Sequence, residues 1–154
     1  LAPGTRYPLT AEKVLHWPRP DGHALVFFRG GRADGPSGYA ELNPMSRPAG
    51  HLWLGHVVLR PDERSRGLGA LFVRALAGYA HAVLSAIRLS LVVFPDNVPA
   101  IRCYRRAGFR IAGVEDHRLG ALGRRHRLLR LEAELPAGQE SPSSGTWSRR
   151  SSVP

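Results

Sequence analysis

The sequence predicts an α/β fold, a sheet of mixed direction flanked by helices, and three observations predict it. Strand-like runs broken by glycine and proline turns fill residues 23–60, the apolar period switches to the helical 3.6 at Leu68, and a strand, turn, helix, strand unit occupies the middle of the chain.

Leu9 to Trp17 is the first expected element, a short helix with Thr10 as N-cap that ends before Pro18. His23 to Arg29 (HALVFFR) is rich in strand formers, and the Gly, Asp and Pro of Gly30 to Ser37 turn it back into Gly38 to Leu42. After a second turn at Asn43 to Gly50, His51 to Arg60 (HLWLGHVVLR) is a long apolar strand, so the first three strands form an antiparallel meander. Leu68, Leu71, Phe72, Ala75, Leu76, Tyr79 and Val83 then share one face of a helix of about five turns.

Ile87 to Phe94 (IRLSLVVF) is a buried strand whose continuous apolar end suits a sheet covered on both faces, and Pro95-Asp96 break it. Asn97 to Ala107 is a short helix: Asn97 is a good N-cap, Pro99 is tolerated in the first turn, Arg105 and Arg106 stand at the negative dipole end, and Gly108 closes it. Ala100, Cys103, Tyr104 and Ala107 fall on one of its faces. Phe109 to Val114 and Arg124 to Leu135 complete the sheet as a hairpin through Gly120 to Gly123. The middle unit requires a right-handed crossover. One domain over residues 1–135 follows, and the Ser-, Gly-, Pro- and Gln-rich stretch 136–154 reads as a disordered tail.

The chain has 154 residues, 22 basic against 12 acidic, for a net charge of +10, and Lys13 is its only lysine. Arginine suits planar, bidentate contact with phosphates and carboxylates, so an anionic partner and a compositional bias of the source both account for the excess. A single cysteine, Cys103, excludes an internal disulfide and a cysteine-based zinc cluster and fits a reducing compartment. No segment approaches the ~20 apolar residues of a membrane span, and Leu1 to Thr10 lacks the charged-then-apolar order of a signal peptide. A cytoplasmic protein without membrane or metal is the expectation.

The chemistry-bearing turn is Arg64-Ser65-Arg66-Gly67-Leu68-Gly69-Ala70, where the long strand hands over to the long helix. Glycines at 67 and 69 remove Cβ atoms where a ligand approaches the backbone, and the amides of a first helical turn have no intrahelical acceptor. Such a turn binds phosphate oxygens, with Arg64 and Arg66 adding charge; the plainer reading is an ordinary glycine-containing helix entry. A Walker loop is excluded by the absence of Lys-Ser/Thr after Gly69, and the dinucleotide fingerprint by Phe72 at its third glycine position.

The segment Asn97 to Phe109 identifies the ligand. With the turn it resembles the GNAT acyltransferase superfamily: Arg64, Gly67 and Gly69 match its (Q/R)xxGx(G/A) motif, and Asn97, Ala100, Tyr104, Gly108 and Phe109 match NxxAxxxYxxxGF. The resemblance covers roughly residues 22 to 135 and implies a mostly antiparallel sheet whose two central strands splay apart. It implies acetyl-CoA as donor, with its pantetheine arm against the backbone of Val57, Val58 and Leu59 and its pyrophosphate on the amides of Arg64, Ser65, Arg66, Gly67, Leu68, Gly69 and Ala70. By the same resemblance Tyr104 protonates the departing thiolate, for which a phenol of pKa ~10 is a feasible acid. Asn97 is explained equally as an N-cap and as a cofactor contact.

An alkylammonium of pKa ~10.4 must lose a proton before it attacks a thioester. Several members of the superfamily use a glutamate on a central strand, but the comparable positions here are Trp53 and Val92. His51, His56 (on the opposite face unless a bulge intervenes), Glu41 and a water chain remain as the base. The expected function is N-acetyl transfer to a primary amine of a small molecule or protein; the alternative is an acyl-CoA-binding module without turnover. A homodimer stays open. Nucleic acid is disfavoured, because the basic run Arg124, Arg125, His126, Arg127 and Arg130 reads first as a solvated strand face and lacks interleaved aromatics. Cys103 reads as a helix-packing residue.

Overall fold

The computed structural model describes residues 20–30, 35–119, 123–135 and 148–149 of the chain. Seven strands lie in one sheet: β1 (His23–Phe27), β2 (Gly38–Pro44), β3 (His51–Leu59), β4 (Arg88–Val93), β5 (Arg110–Leu119), β6 (Arg124–Glu134) and β7 (Ser148–Arg149), in the order β5-β6-β4-β3-β2-β1-β7. Helix α1 (Leu68–Leu84) joins β3 to β4, and α2 (Val98–Arg106) joins β4 to β5. Every neighbouring pair is antiparallel except β3 and β4, the parallel pair that the α1 crossover makes possible. The expected helix at Leu9–Trp17 and the turn 120–122 lie outside the described residues. So does the stretch 136–154, apart from Ser148–Arg149, which pairs with Val26 and Leu25 along the outer edge of β1.

The meander, both helices and the closing hairpin fall where the sequence pattern puts them. Strand β5 runs five residues past Val114, because its partner β6 is long enough to pair with it down to Leu119↔Arg124. Both helices pack on the apolar face of the sheet. Leu25, Ala40, Leu42, Leu52, Leu54, Leu89, Leu91, Val93, Leu131 and Ala133 meet Phe72, Val73, Leu76 and Ala80 of α1, and Ala100, Ile101, Cys103, Tyr104 and Ala107 of α2 join from the side. Full burial of Phe72 and of Leu76 contributes roughly 2–3 kcal/mol each.

Helix α1 is rotated from the expected face. Leu71 and Val83 are exposed at 45% and 59%, while Val73 and Ala80 are buried. The reason lies in the contact between the helices. A Cβ built on Gly69 would stand 2.8 Å from Cys103 Sγ and 3.5 Å from a methyl of Leu59, so α2 presses directly on the first turn of α1. That approach turns the side carrying Gly69, Val73, Leu76 and Ala80 inward. Cys103 is therefore a packing residue, and burial pushes its thiol pKa up, away from reactivity.

Gly69→Ala is expected to destabilise the fold through that clash despite its gain in helix propensity, and Cys103→Ala in the same chain to relieve it. Urea denaturation of the two single mutants and the double mutant should give a coupling of about 1–3 kcal/mol; additive effects would show that the helices do not meet there.

Candidate active site

The seam between β3 and β4 sets the site's shape. The strands pair at three positions, His51↔Arg88, Leu52↔Leu89 and Trp53↔Ser90, and β3 then runs on to Leu59 without a partner on that side among the described residues. The central strands are thus splayed, leaving a row of backbone donors and acceptors along Leu54 to Leu59 open to a ligand. On its other side β3 pairs with β2, but the register slips: Tyr39 faces Val58 while Glu41 faces Gly55. The extra residue is a bulge, and His56 adopts the left-handed region there with φ 46°. Val57 and Leu59 pack toward the core and Val58 is exposed, so any ligand contact by the three runs through their backbone.

The chain leaves β3 through a 3-10 turn at Pro61–Glu63 and enters α1 with Ser65 at φ 61° and Gly67 at φ 76°, both left-handed. Gly67 is the N-cap of α1 and no side chain caps the helix. The amides of Leu68, Gly69 and Ala70 consequently lack intrahelical acceptors at the positive end of the dipole. Among the described residues nothing lies within 4 Å of a Cβ on Gly67, so that glycine serves the turn and leaves space above it. Gly69 is different: its missing Cβ makes room for Cys103, which corrects its reading as a position cleared for ligand. Arg64 Nε donates to the Leu59 carbonyl oxygen at 3.0 Å and so braces the end of β3, whereas Arg66 lines an open cleft of about 470 Å³ with Leu68 and Arg29. The sequence offers no local signal for Arg29, which comes from the far end of β1.

Helix α2 begins at Val98 with Asn97 as N-cap, and the Ala100 amide donates to Asn97 Oδ1 at 3.3 Å. The Asn97 oxygen is thus occupied as a cap. Tyr104 sits one residue beyond the contact between Cys103 and Gly69, its ring 5.8 Å from that of Phe109. Burial, with a contribution from Cys103, raises the phenol pKa well above its ordinary 10, so it carries its proton throughout the neutral range. Among the described residues no hydrogen bond is made to its hydroxyl.

Of the three candidate bases, the structure brings two together. Glu41 is buried, and its Oε2 lies 3.0 Å from His56 Nδ1 across the bulge. Tyr39 donates its hydroxyl to Glu41 Oε1 at 2.8 Å, and Asn43 Nδ2 reaches Oε2 at 3.5 Å. Burial alone would push the Glu41 pKa up; the hydrogen bonds from His56 and Tyr39 outweigh it and hold the carboxyl below its usual value of 4.5. His51 is separate, roughly 15 Å along the strand in the closed part of the seam. Its Nε2 is 2.6 Å from Ser90 Oγ, which in turn lies 3.4 Å from Glu132 Oε1. Burial, helped by Arg88, depresses its pKa. In the basic run, Arg124, Arg125 and Arg127 are solvent-exposed, while Arg130 is bound between Glu115 (3.1 Å) and Glu132 (3.3 Å). Among the described residues no group of three or more His, Cys, Asp or Glu side chains is placed to hold a metal, and no helix is long and apolar enough to cross a membrane.

The spermine/spermidine N(1)-acetyltransferase of Bacillus subtilis (strain 168) is 31% identical over 67 residues, 44% of this chain and 44% of that protein, so the match spans less than half of the relative's length. A structure described as a candidate phosphinothricin N-acetyltransferase superposes with a TM-score of 0.68 at 18% identity, covering 88% of this chain and 84% of that one. The Vibrio cholerae spermidine N-acetyltransferase in complex with CoA and spermine gives 0.62 at 17% identity, over 80% and 70%. At those identities the superpositions show the fold alone. The model of the acetyltransferase (GNAT) family matches residues 2–109, more than half of the sequence, and the chain belongs to that family.

Proposed function

We propose that the protein is an N-acetyltransferase that moves an acetyl group from acetyl-CoA to a primary amine by direct attack. The observation that carries this is the uncapped, left-handed entry to α1 standing beside the open edge of β3. The amides of Leu68, Gly69 and Ala70 with Arg66 would hold the pyrophosphate, and the backbone of Val57 to Leu59 the pantetheine arm. Acetyl-CoA supplies the thioester.

The residues then divide the proton work. His56, held at Nδ1 by Glu41, takes the amine proton at Nε2, and the ionised carboxylate stabilises the imidazolium that forms. The pair supplies a carboxylate that Trp53 and Val92 do not. Tyr104, protonated across the neutral range, gives its proton to the departing thiolate, although the burial that raises its pKa makes it a weaker acid than a free phenol. Asn97 acts by capping α2 and so holding Tyr104 in place. The lone, half-buried Cys103 fits a reducing cytoplasmic setting.

The relatives named for spermine and spermidine make polyamines the first acceptor class to test. The net charge of +10 works against a polycationic acceptor and makes a monoamine or an amine bearing an acidic group the second. Binding without turnover remains the other reading, favoured by Trp53 and Val92 standing where a central-strand glutamate serves several relatives.

Thermal shift with acetyl-CoA tests the donor: stabilisation is expected, and none at saturation would sink both readings. Thiol release with an amine panel separates the readings, since turnover with no amine would leave only the binder. Tyr104→Phe is expected to lower kcat about 100-fold with KM for acetyl-CoA within a few-fold. An unchanged kcat would remove Tyr104 as the acid.

Glu41 also leaves a signature in stability. A carboxyl with a depressed folded pKa stabilises fully above its unfolded value of about 4.5 and loses that contribution as pH falls through the folded value. Glu41→Gln is therefore expected to cost about 1–3 kcal/mol at pH 7, with the gap to the parent protein narrowing below pH 4.5. A gap constant with pH, read from urea midpoints, would show that Glu41 is not ionised in the fold.

A further inference from the structure

We infer that Arg29 is a phosphate ligand of the donor site, contributed from the end of β1 and positioned by the buried carboxylate of Glu63. The inference rests on the coenzyme A reading above and adds to it a residue that lies outside the turn Arg64 to Ala70.

Glu63 is only 5% exposed although it sits in a surface turn. A carboxylate is buried at high cost unless it is paired, and this one is paired three times. Arg29 Nη1 donates to Oε2 at 2.9 Å, Arg60 Nη2 lies 3.3 Å from Oε1, and the Ser37 hydroxyl lies 3.5 Å from Oε1. These partners come from the ends of three strands. Ser37 also binds Arg29 directly, its Oγ accepting from the Arg29 amide at 3.2 Å, and its carbonyl accepts from the Arg60 amide at 2.9 Å. The turn that leads into the α1 entry is thus bolted to the end of the β1–β2 hairpin through one side chain.

The consequence for Arg29 is orientation. Glu63 engages one nitrogen of the guanidinium, while the Arg29 side chain stays half exposed and lines the cleft with Arg66 and Leu68. A planar fork with five donors binds a carboxylate along one edge and still offers the others to an anion. Arg60, by contrast, is matched by Asp62 at 2.7 Å. Two arginines from distant parts of the chain, one held by a buried carboxylate, therefore face a cleft of about 470 Å³ beside uncapped helix amides. That is the chemistry of a phosphate group, either the pyrophosphate or the 3′-phosphate of coenzyme A.

Calorimetric titration of the full chain with CoA tests this. Arg29→Gln is expected to weaken CoA binding at least 10-fold, with a deficit that shrinks at high salt, and Arg29→Lys to recover only part of it. Glu63→Gln should weaken binding 3- to 10-fold by loosening Arg29, with KM for acetyl-CoA raised by a similar factor. If Arg29→Gln fails to fold, Arg29→Lys carries the test alone. A 3′-dephospho-CoA arm places the contact: a persisting deficit assigns the pyrophosphate and a vanished one the 3′-phosphate, and both support the inference. CoA binding by Arg29→Gln, or by the Lys variant where it alone folds, within twofold of the parent protein overturns the inference and leaves the coenzyme A reading standing. Failure of the parent protein to bind CoA overturns both.

Discussion

Three rungs of parallel pairing, from His51↔Arg88 to Trp53↔Ser90, hold the two halves of this sheet together. On one side lie β3, β2, β1 and β7, and on the other β4, β6 and β5. Past Trp53 the halves part, and backbone that a continuous sheet would satisfy internally is left facing the gap. A fold tolerates this only if something else fixes the halves. Helix α1 does so by crossing from the end of β3 to the start of β4, burying Phe72, Leu76 and Ala80 against strands of both halves. Helix α2 then closes on the first turn of α1.

Polar groups are distributed to match. At the closed end of the seam, His51, Ser90 and Glu132 form a buried chain on the face away from the helices, and burial lowers the His51 pKa there. Beside the open end lies the other buried acid of the strands themselves, Glu41, with Tyr39, Asn43 and His56 around it. One carboxylate thus belongs to the part of the sheet that is finished and the other to the part that is not. Buried charge is costly in both places, and in both the cost is offset by polar side chains on the same and the neighbouring strand.

Much of this architecture was legible in the sequence, because it rests on local signals. The period change at Leu68 marks α1, Asn97 and Gly108 bracket α2, and turn residues separate the meander strands. The proposed site is legible where it coincides with those signals, at the α1 entry and at Tyr104. What escaped the sequence is non-local. The rotation of α1 is set by Cys103, more than thirty residues away from Gly69. The bulge that carries His56 to Glu41 depends on how β3 meets β2, and a non-glycine residue at φ 46° announces nothing beforehand. Arg29 and Glu63 are likewise ordinary charged residues until the ends of β1 and β3 are brought side by side. The same holds for Gly69, whose place in a glycine motif suggests a ligand while its surroundings show a neighbouring helix.

That last contact ties together two parts with separate tasks. With Gly69 on one side and Cys103 on the other, the turn proposed to hold the donor's phosphates and the helix carrying Tyr104 share a single clearance, too narrow for one methyl group. Neither can drift without carrying the other. The two positions are therefore expected to vary together: bulk gained at either has to be surrendered at its counterpart, and a chain enlarged at position 69 alone would shift the proposed proton donor relative to the proposed cradle while leaving every chemical group intact.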